Sequence, residues 1–410
     1  METYIDELLK KIIKRGYVMR NPYKPGAGTA PEFLAGRDKI LNDATNILNE
    51  LKDGGMAEHT IYFGVRGVGK TVLLNRIEEM AMNLGCLCTH IECDDGLDFI
   101  KTIIISCRSF IKQLSLCSVI KEKIDMAKAV LMSFKGTYSP NDNSFSFELK
   151  EDVMARYGNA DTGELTMDLI TLFTTLGELA DKTETPICFF VDEIQALERK
   201  RLMSFISALH RMNQLSLPFL LVGAGLPTIR RIASDAKSYA ERMFAYMEIT
   251  SLKTVDAISA LIEPAKIYNV EYSKDAIDYI LSETGCYPYF IQQYGKLLWK
   301  TVSNNKIITK TDAEIIREEY RETLNNGFFG SRYNRATNKE KEFLYAMVEC
   351  GRFPCSMTDV AIKMNKNVKS ISPLRSHLLN KGLIYSPSFG EVDFTVPHFD
   401  KFLNREKFGA

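Results

Sequence analysis

The sequence predicts an α/β fold: a parallel sheet core, then an α-helical lid domain, then a C-terminal winged helix-turn-helix. Three observations predict this order. Short apolar strands alternate with amphipathic helices from residue 60 to residue 223, which is typical of a mostly parallel sheet covered on both faces. After residue 250 only helical periodicity remains. From residue 337, three short helices precede two short strands.

Length and composition indicate several folded domains. The 410 residues exceed what one hydrophobic core usually holds, and 45% hydrophobic with 25% charged residues is typical of a globular protein. Lys and Arg number 52, as do Asp and Glu, which excludes a general electrostatic attraction to nucleic acid or membranes. The apolar runs are far shorter than the roughly 20 residues that span a bilayer, and the N-terminus lacks the apolar centre of a signal peptide. We therefore expect a cytoplasmic protein.

The nine cysteines and five histidines do not follow the spacing of metal ligands. The sequence contains neither a Cys-x-x-Cys pair nor a His-Glu-x-x-His helix, which are common patterns of zinc sites. Cys86, Cys88 and Cys93 fall on a predicted buried strand. We expect reduced, packed thiols.

Residues 1–30 are predicted to form an amphipathic helix and a loop rich in Pro and Gly. The core is then predicted to span residues 31–252. Its first half should contain a helix at 38–51, a strand at 60–63, a glycine loop, a helix through about 84 and a strand at 87–93.

The second half of the core is interrupted by a predicted insertion at about residues 95–164. In it we expect a helix at 97–116 and a hairpin of two strands, 129–135 and 144–149, around a turn at 139–143. The core then resumes with helices at 165–180 and 199–214 and strands at 186–191 and 218–223.

Two smaller domains are predicted after the core. Residues 253–330 should form a helical lid, with helices at 255–266, 274–283, 289–302 and 312–325. Residues 331–410 should form the winged helix, with helices at 339–349, 357–364 and 368–381 and two strands within 383–396.

Residues 64–71 match the pattern Gly-x-x-x-x-Gly-Lys-[Ser/Thr] completely. Glycines let backbone N–H groups close around phosphate oxygens, and the following helix adds a favourable field. Lys70 should contact the β- and γ-phosphates, and the Thr71 hydroxyl should bind Mg²⁺. A glycine-rich surface turn is the alternative, but the strand before the loop and the helix after it disfavour that interpretation. The predicted ATP-binding residues are Gly64, Val65, Arg66, Gly67, Val68, Gly69, Lys70, Thr71 and Val72.

Two adjacent carboxylates, Asp192 and Glu193, follow the predicted buried strand at 186–191. In a parallel sheet this strand end lies at the same edge as the phosphate loop. We expect Asp192 to hold Mg²⁺, directly or through water. Glu193 is placed to orient or deprotonate an attacking water, which makes it the predicted catalytic residue together with Lys70.

With these motifs in this order, residues 30–405 resemble the AAA+/STAND group of P-loop ATPases. Within that group the sequence is similar to the archaeal origin-recognition-like ATPases and their bacterial ATP-binding relatives. The resemblance implies an AAA+-like P-loop NTPase core that uses ATP and Mg²⁺, with the possibility of homo-oligomers.

The resemblance also implies roles for four residues outside the two motifs. Gly36 and Arg37 would contact the adenine or ribose, and the alternative is an ordinary helix N-terminus. Arg242 would reach the γ-phosphate of a neighbouring subunit, and the alternative is a surface salt bridge. Pro288, in the motif Gly-Cys-Tyr-Pro, would contact nucleotide, and the alternative is a proline in a first helical turn.

One departure from the group predicts slow hydrolysis. The fourth strand ends in Leu-Val-Gly-Ala-Gly-Leu at residues 221–226, where the AAA+ pattern has a polar residue that helps to position water. We therefore expect nucleotide to act as a conformational switch more than as a fuel for rapid turnover.

The C-terminal segment from residue 337 carries 11 Lys and Arg against 8 Asp and Glu, a net charge of +3. Lys366, Lys369, Ser370 and Arg375 lie at and along the third helix, which in a winged helix enters the major groove. We expect these four residues to bind duplex DNA. The alternative function is a signalling or defence switch whose winged helix docks protein partners or mediates ATP-dependent self-assembly. A merely solvated helix face would carry the same charges.

Overall fold

The computed structural model divides the chain into two compact units. One, the helical unit, comprises Met1–Gly36 and Ser251–Ser331, and the other, the sheet unit, comprises Arg37–Thr250 and Arg332–Ala410. We call Arg332–Ala410 the C-terminal module. The structure describes residues 20–94, 96–115, 121–139, 151–302 and 306–408. The predicted N-terminal helix therefore lies outside the described residues.

The sheet unit is built on five parallel strands in the order β2-β3-β4-β1-β5. The strands are β1 (His59–Phe63), β2 (Leu87–Glu92), β3 (Ile187–Asp192), β4 (Phe219–Gly225) and β5 (Phe244–Glu248). Every residue of β1, β3 and β4 is buried, as expected for central strands covered on both faces. Because all strands run in parallel, their carboxyl ends meet at one edge, which carries the phosphate loop and the two carboxylates.

Nine helices in the described part of Arg37–Thr250 connect and cover the strands. They are α1 (Asp38–Lys52), α2 (Lys70–Asn83), α3 (Phe99–Leu114), α4 (Lys121–Tyr138), α5 (Glu151–Tyr157), α6 (Leu165–Lys182), α7 (Arg199–Gln214), α8 (Ile229–Ala236) and α9 (Ala240–Met243). The predicted α/β fold class is confirmed.

One prediction within the insertion is wrong. Residues 129–135, predicted as a strand, belong to helix α4. Ile124, Ala127, Leu131 and Phe134 are buried at spacings of three and four residues, so one helical face packs into the core. The predicted partner strand at 144–149 lies outside the described residues.

Asp168 ties the insertion to α6 through a fully buried carboxylate. Its Oδ2 accepts hydrogen bonds from the Tyr138 hydroxyl at 2.7 Å and the Gly163 N–H at 3.2 Å. Its Oδ1 accepts from the N–H of Thr162 at 3.0 Å and from its hydroxyl at 2.7 Å. The four donors offset the cost of burying the charge.

The helical unit contains the four predicted helices, at nearly the predicted positions. Its elements are α10 (Thr254–Lys266), β6 (Glu271–Tyr272), α11 (Lys274–Thr284), α12 (Pro288–Leu298), β7 (Ile307–Ile308) and α13 (Lys310–Leu324). The short helix α14 (Gly330–Tyr333) spans the boundary between this unit and the C-terminal module. Tyr23, from the segment before the sheet unit, is buried here and its hydroxyl donates to the Leu261 carbonyl at 2.5 Å. None of the helices in the described residues is both long enough and apolar enough to cross a membrane.

The C-terminal module has the predicted three helices and two strands, with one further short strand and a last helix. Its elements are α15 (Asn338–Glu349), β8 (Cys355–Ser356), α16 (Met357–Lys363), α17 (Val368–Asn380), β9 (Ile384–Tyr385), β10 (Glu391–Phe394) and α18 (Phe399–Phe408). The strands form an antiparallel sheet in the order β8-β10-β9. Asn367 caps α17 by accepting from the Ser370 N–H at 2.9 Å, which fixes where this helix begins.

Candidate nucleotide site

The phosphate loop, residues 64–71, joins β1 to α2 at the carboxyl edge of the sheet. Gly69 precedes the first residue of α2 with φ at 92°, a left-handed conformation that residues with a Cβ rarely adopt. The 14-residue helix α2 therefore begins inside the loop, and its first N–H groups lie at the phosphate loop. Unpaired N–H groups at a helix N-terminus favour phosphate.

Lys70 is buried at the base of this loop. Its ammonium donates to the carbonyls of Gly64 and Val65, each at 3.0 Å, so the loop encircles the charge. Burial lowers the pKa of Lys70 to about 8, although Glu193 and Asp192 act in the opposite direction. A buried cation whose hydrogen bonds go to neutral carbonyls is suited to take an anionic phosphate as its partner.

Thr71, in the first turn of α2, lies beside Asp192, the last residue of β3. The Thr71 hydroxyl donates to Asp192 Oδ2 at 2.5 Å, and Asp192 is only 3% exposed. A hydroxyl and a carboxylate are oxygen donors that fit Mg²⁺, which binds through one or two protein oxygens together with substrate phosphates. In the part of the chain that the structure describes, no cluster of three His, Cys, Asp or Glu side chains could hold a metal without such help. Bound Mg²⁺ would supply neutralisation of charge on the phosphate oxygens.

Glu193 follows Asp192 in a left-handed conformation, with φ at 47°. Its two carboxylate oxygens have different partners. Arg66 Nη1 donates to Oε1 at 3.0 Å, and the Gln195 amide donates to Oε2. The structure therefore groups Lys70, Thr71, Asp192 and Glu193 as predicted, and adds Gln195, which the sequence pattern did not single out.

Family models match two segments of the sequence. Residues 34–222 match the AAA ATPase domain. This segment, which carries the phosphate loop and both carboxylates, is similar to AAA ATPases. Residues 326–403 match a domain of unknown function, which covers most of the C-terminal module.

Several solved structures are similar to this chain at low sequence identity. The Walker-type ATPase PABY2304 of Pyrococcus abyssi is 14% identical, with a TM-score of 0.55 over 92% of this chain and 97% of that one. The ORC1 protein of Aeropyrum pernix, solved in complex with DNA, is 13% identical, with a TM-score of 0.44 over 92% and 94%. The RuvB Holliday junction branch migration motor of Thermotoga maritima is 16% identical, with a TM-score of 0.41 over 90% and 95%. A comparison with curated proteins found no match.

Arg37, predicted to contact the base or ribose, is buried beside the phosphate loop. Its Nη2 donates to the carbonyls of Val68 and Thr250, each at 3.1 Å. The guanidinium thus braces the loop against the end of the sheet unit. Gly36 has φ at 65°, and its Cα lies against the Asp256 side chain within the helical unit.

Two other predicted residues, Pro288 and Arg242, lie on helices. Pro288 is at the first turn of α12, where a proline's missing N–H costs nothing. Arg242 lies on the short helix α9 and is exposed, and the described residues offer it no ion pair. The neighbouring acid, Glu241, instead accepts from the Ser234 hydroxyl at 2.5 Å.

The C-terminal module contacts the phosphate loop inside the sheet unit. The Arg66 N–H donates to the Thr395 carbonyl at 2.8 Å. A Cβ on Gly382 would lie 3.5 Å from an Arg66 guanidinium nitrogen and 3.7 Å from Leu226. The residues just after α17 and just after β10 thereby cover two loops at the carboxyl edge of the sheet.

The four predicted DNA-binding residues divide into two groups. Lys366, Lys369 and Ser370 are exposed at the start of α17. Arg375 is half-buried, and its Nη2 donates to the Ser386 hydroxyl at 2.9 Å. Burial, and then the charge of Arg231 on the sheet unit's α8, lower the pKa of Arg375. Arg375 therefore lies toward α8 of the sheet unit, apart from the exposed residues Lys366, Lys369 and Ser370.

Proposed function

We propose that this ATPase binds ATP with Mg²⁺ at the carboxyl edge of its sheet and hydrolyses it slowly in the cytoplasm. The observation that carries the proposal is the hydrogen bond of Thr71 to Asp192 beside the buried Lys70. In this reading Lys70 contacts the β- and γ-phosphates, and Thr71 and Asp192 hold Mg²⁺. Glu193 orients the attacking water.

Hydrolysis is slow in this proposal because few polar side chains can position the attacking water. The end of β4 has only small and apolar side chains to help position that water. Nucleotide thus serves chiefly to switch the conformation of the protein.

Phosphate release and nucleotide binding test this function together. Lys70→Ala should weaken ATP binding by about tenfold to a hundredfold, the value of one charged hydrogen-bonded contact. Glu193→Gln should retain binding and lose phosphate release. Lys200→Ala, on the exposed side of α7, is the matched lysine control and should behave like the wild type. Phosphate release that persists in Glu193→Gln would contradict the assigned role of Glu193.

We propose further that the C-terminal module is a winged helix that binds duplex DNA through the start of α17. Lys366, Lys369 and Ser370 are exposed there, and cations with hydroxyl groups suit phosphate and base contacts. Binding should weaken steeply with salt, and the salt slope should fall by about one for each lysine replaced by alanine. Binding that does not depend on salt or on these lysines would exclude this function.

A second function, a signalling or defence switch, is favoured by the contact of the C-terminal module with the phosphate loop. The Thr395 carbonyl and Gly382 lie on the residues that would sense the nucleotide, and Arg375 is turned away from solvent. In that case ATP drives self-assembly or the docking of a protein partner. Light scattering should then show an ATP-dependent increase in mass that is lost in Lys70→Ala and in Arg242→Ala. A mass unchanged by ATP would eliminate the self-assembly form of the switch.

A further inference from the structure

Gln195 links the proposed catalytic carboxylate to the end of β4. It lies in the short turn Ile194–Ala196 that follows Glu193, and both ends of its amide are used. The nitrogen donates to Glu193 Oε2, and the oxygen accepts from the Leu226 N–H at 2.9 Å. One planar group therefore fixes the distance between the Glu193 carboxylate and the backbone just after β4.

Gly225 makes room for this amide. A Cβ at Gly225 would lie 2.5 Å from Gln195 Oε1, a distance at which one of the two must move. The neighbouring atoms around that position, on Ile194 and Ile229, are 3.3 and 3.6 Å away. Among these three neighbours, only the amide oxygen lies under 3.0 Å, so the glycine and the glutamine fit each other as a pair.

The amide supplies a polar group where the β4 sequence has none. Residues 221–226 are small or apolar, and the Gln195 side chain lies across the end of that strand. Arg66 holds the other oxygen of Glu193 from the phosphate loop. The carboxylate is thus fastened from both sides, which limits its rotation about its last side-chain bond.

We propose that Gln195 is a positioning residue: it orients the Glu193 carboxylate toward the water that attacks ATP. Gly225 leaves the space that the Gln195 amide occupies. The inference rests on the proposed function of Glu193. A base must lie within hydrogen-bond reach of the water it acts on, and a displacement of about 1 Å can cost about a hundredfold in rate. Gln195 keeps the carboxylate at one position relative to the edge of the sheet, and it contacts no substrate itself.

The experiment measures kcat and KM for ATP hydrolysis, and the ATP dissociation constant, in the full chain. Gln195→Ala and Gly225→Ala should each lower kcat by about tenfold to a hundredfold and leave the dissociation constant within about twofold. Gly223→Ala is the matched control on the same strand, because its Cβ would meet only Ile61 and Ile194, at 3.3 and 3.5 Å. It should retain the wild-type kcat.

The double variant Gln195→Ala/Gly225→Ala decides whether the glycine acts through the amide. Without the amide, the Cβ at residue 225 has no polar group to displace, so kcat should be no lower than in Gln195→Ala alone. If Gly225→Ala does not fold, Gln195→Ala alone carries the test. A wild-type kcat in Gln195→Ala, a loss confined to ATP affinity, or full additivity in the double variant would overturn the inference.

Glu193→Gln separates failure of the inference from failure of the proposed function. If Glu193→Gln loses hydrolysis while Gln195→Ala does not, the inference alone is wrong. If the wild type releases no phosphate, or Glu193→Gln keeps the wild-type kcat, the role of Glu193 is wrong and the inference falls with it.

Discussion

His59, on the central strand β1, should make the sheet unit sensitive to acid. The ring is fully buried, and its Nδ1 accepts a hydrogen bond from the Leu221 N–H on β4 at 3.1 Å. Because an amide can only donate, Nδ1 must be unprotonated and the folded state needs the neutral ring. Burial lowers the pKa of His59 to about 4.

The size of the effect follows from the two pKa values. The unfolded chain binds a proton near pH 6.5, whereas the folded chain binds it only near pH 4, so stability is full above pH 6.5 and is lost as the pH falls through this window. Between pH 7 and pH 5 His59 should cost about 2 kcal/mol of the free energy of unfolding. Burial also lowers the pKa of His398 to about 4, so this residue adds a similar loss of stability. That loss is the same in the wild type and in a variant of His59, so it cancels when the two are compared.

Urea unfolding at pH 7 and pH 5 measures the loss in the wild type and in His59→Asn, whose side-chain oxygen keeps an acceptor near Leu221. Circular dichroism is the appropriate signal, because the single tryptophan, Trp299, lies in the helical unit and does not report on β1. The wild type should lose about 2 kcal/mol more than the variant between the two pH values. Equal losses in the two proteins would refute the reasoning.

Two further predictions concern Asp168 and Asp192, two buried carboxylates, and the side chains that donate to them. Asp168→Asn leaves buried donors without a charged acceptor and should lower the free energy of unfolding by about 2–4 kcal/mol, measured by urea unfolding at pH 7; an unchanged midpoint would contradict the buried network. Thr71→Val removes the hydroxyl beside Asp192 and should raise the Mg²⁺ concentration for half-maximal phosphate release by about tenfold or more, without a matching loss of Mg²⁺-free ATP binding. An unchanged Mg²⁺ requirement would exclude Thr71 as a ligand.

The sheet and its phosphate loop could be predicted because their signals are local. The apolar run at residues 186–191 ends directly in Asp192 and Glu193, and the glycine pattern at residues 64–71 sits between a strand and a helix. Parallel strands bring these two ends to one edge, so the proximity of Thr71 and Asp192 follows from topology. The same local reasoning located the helices of the helical unit.

The remaining features depend on contacts that sequence spacing does not encode. Residues 129–135 contain enough apolar and β-branched character to resemble a strand, and only packing of the Ile124 to Phe134 face against the core settles the helix. Gln195 is one polar residue in a turn, and its proposed role depends on the absence of a Cβ at Gly225, on the strand β4. Arg375 has the position of a DNA contact in the sequence, yet Ser386 and burial hold it toward the core.

The hydrogen bond between the Arg66 N–H and the Thr395 carbonyl has a consequence for the order of events during synthesis. More than three hundred residues separate its two partners, including the whole main segment of the helical unit. At a translation rate of about 5–20 residues per second, the phosphate loop leaves the ribosome tens of seconds before Thr395 is made. The segment that carries the phosphate loop, the two carboxylates and all five strands of the sheet is therefore complete before the part of the C-terminal module that covers the loop has been made.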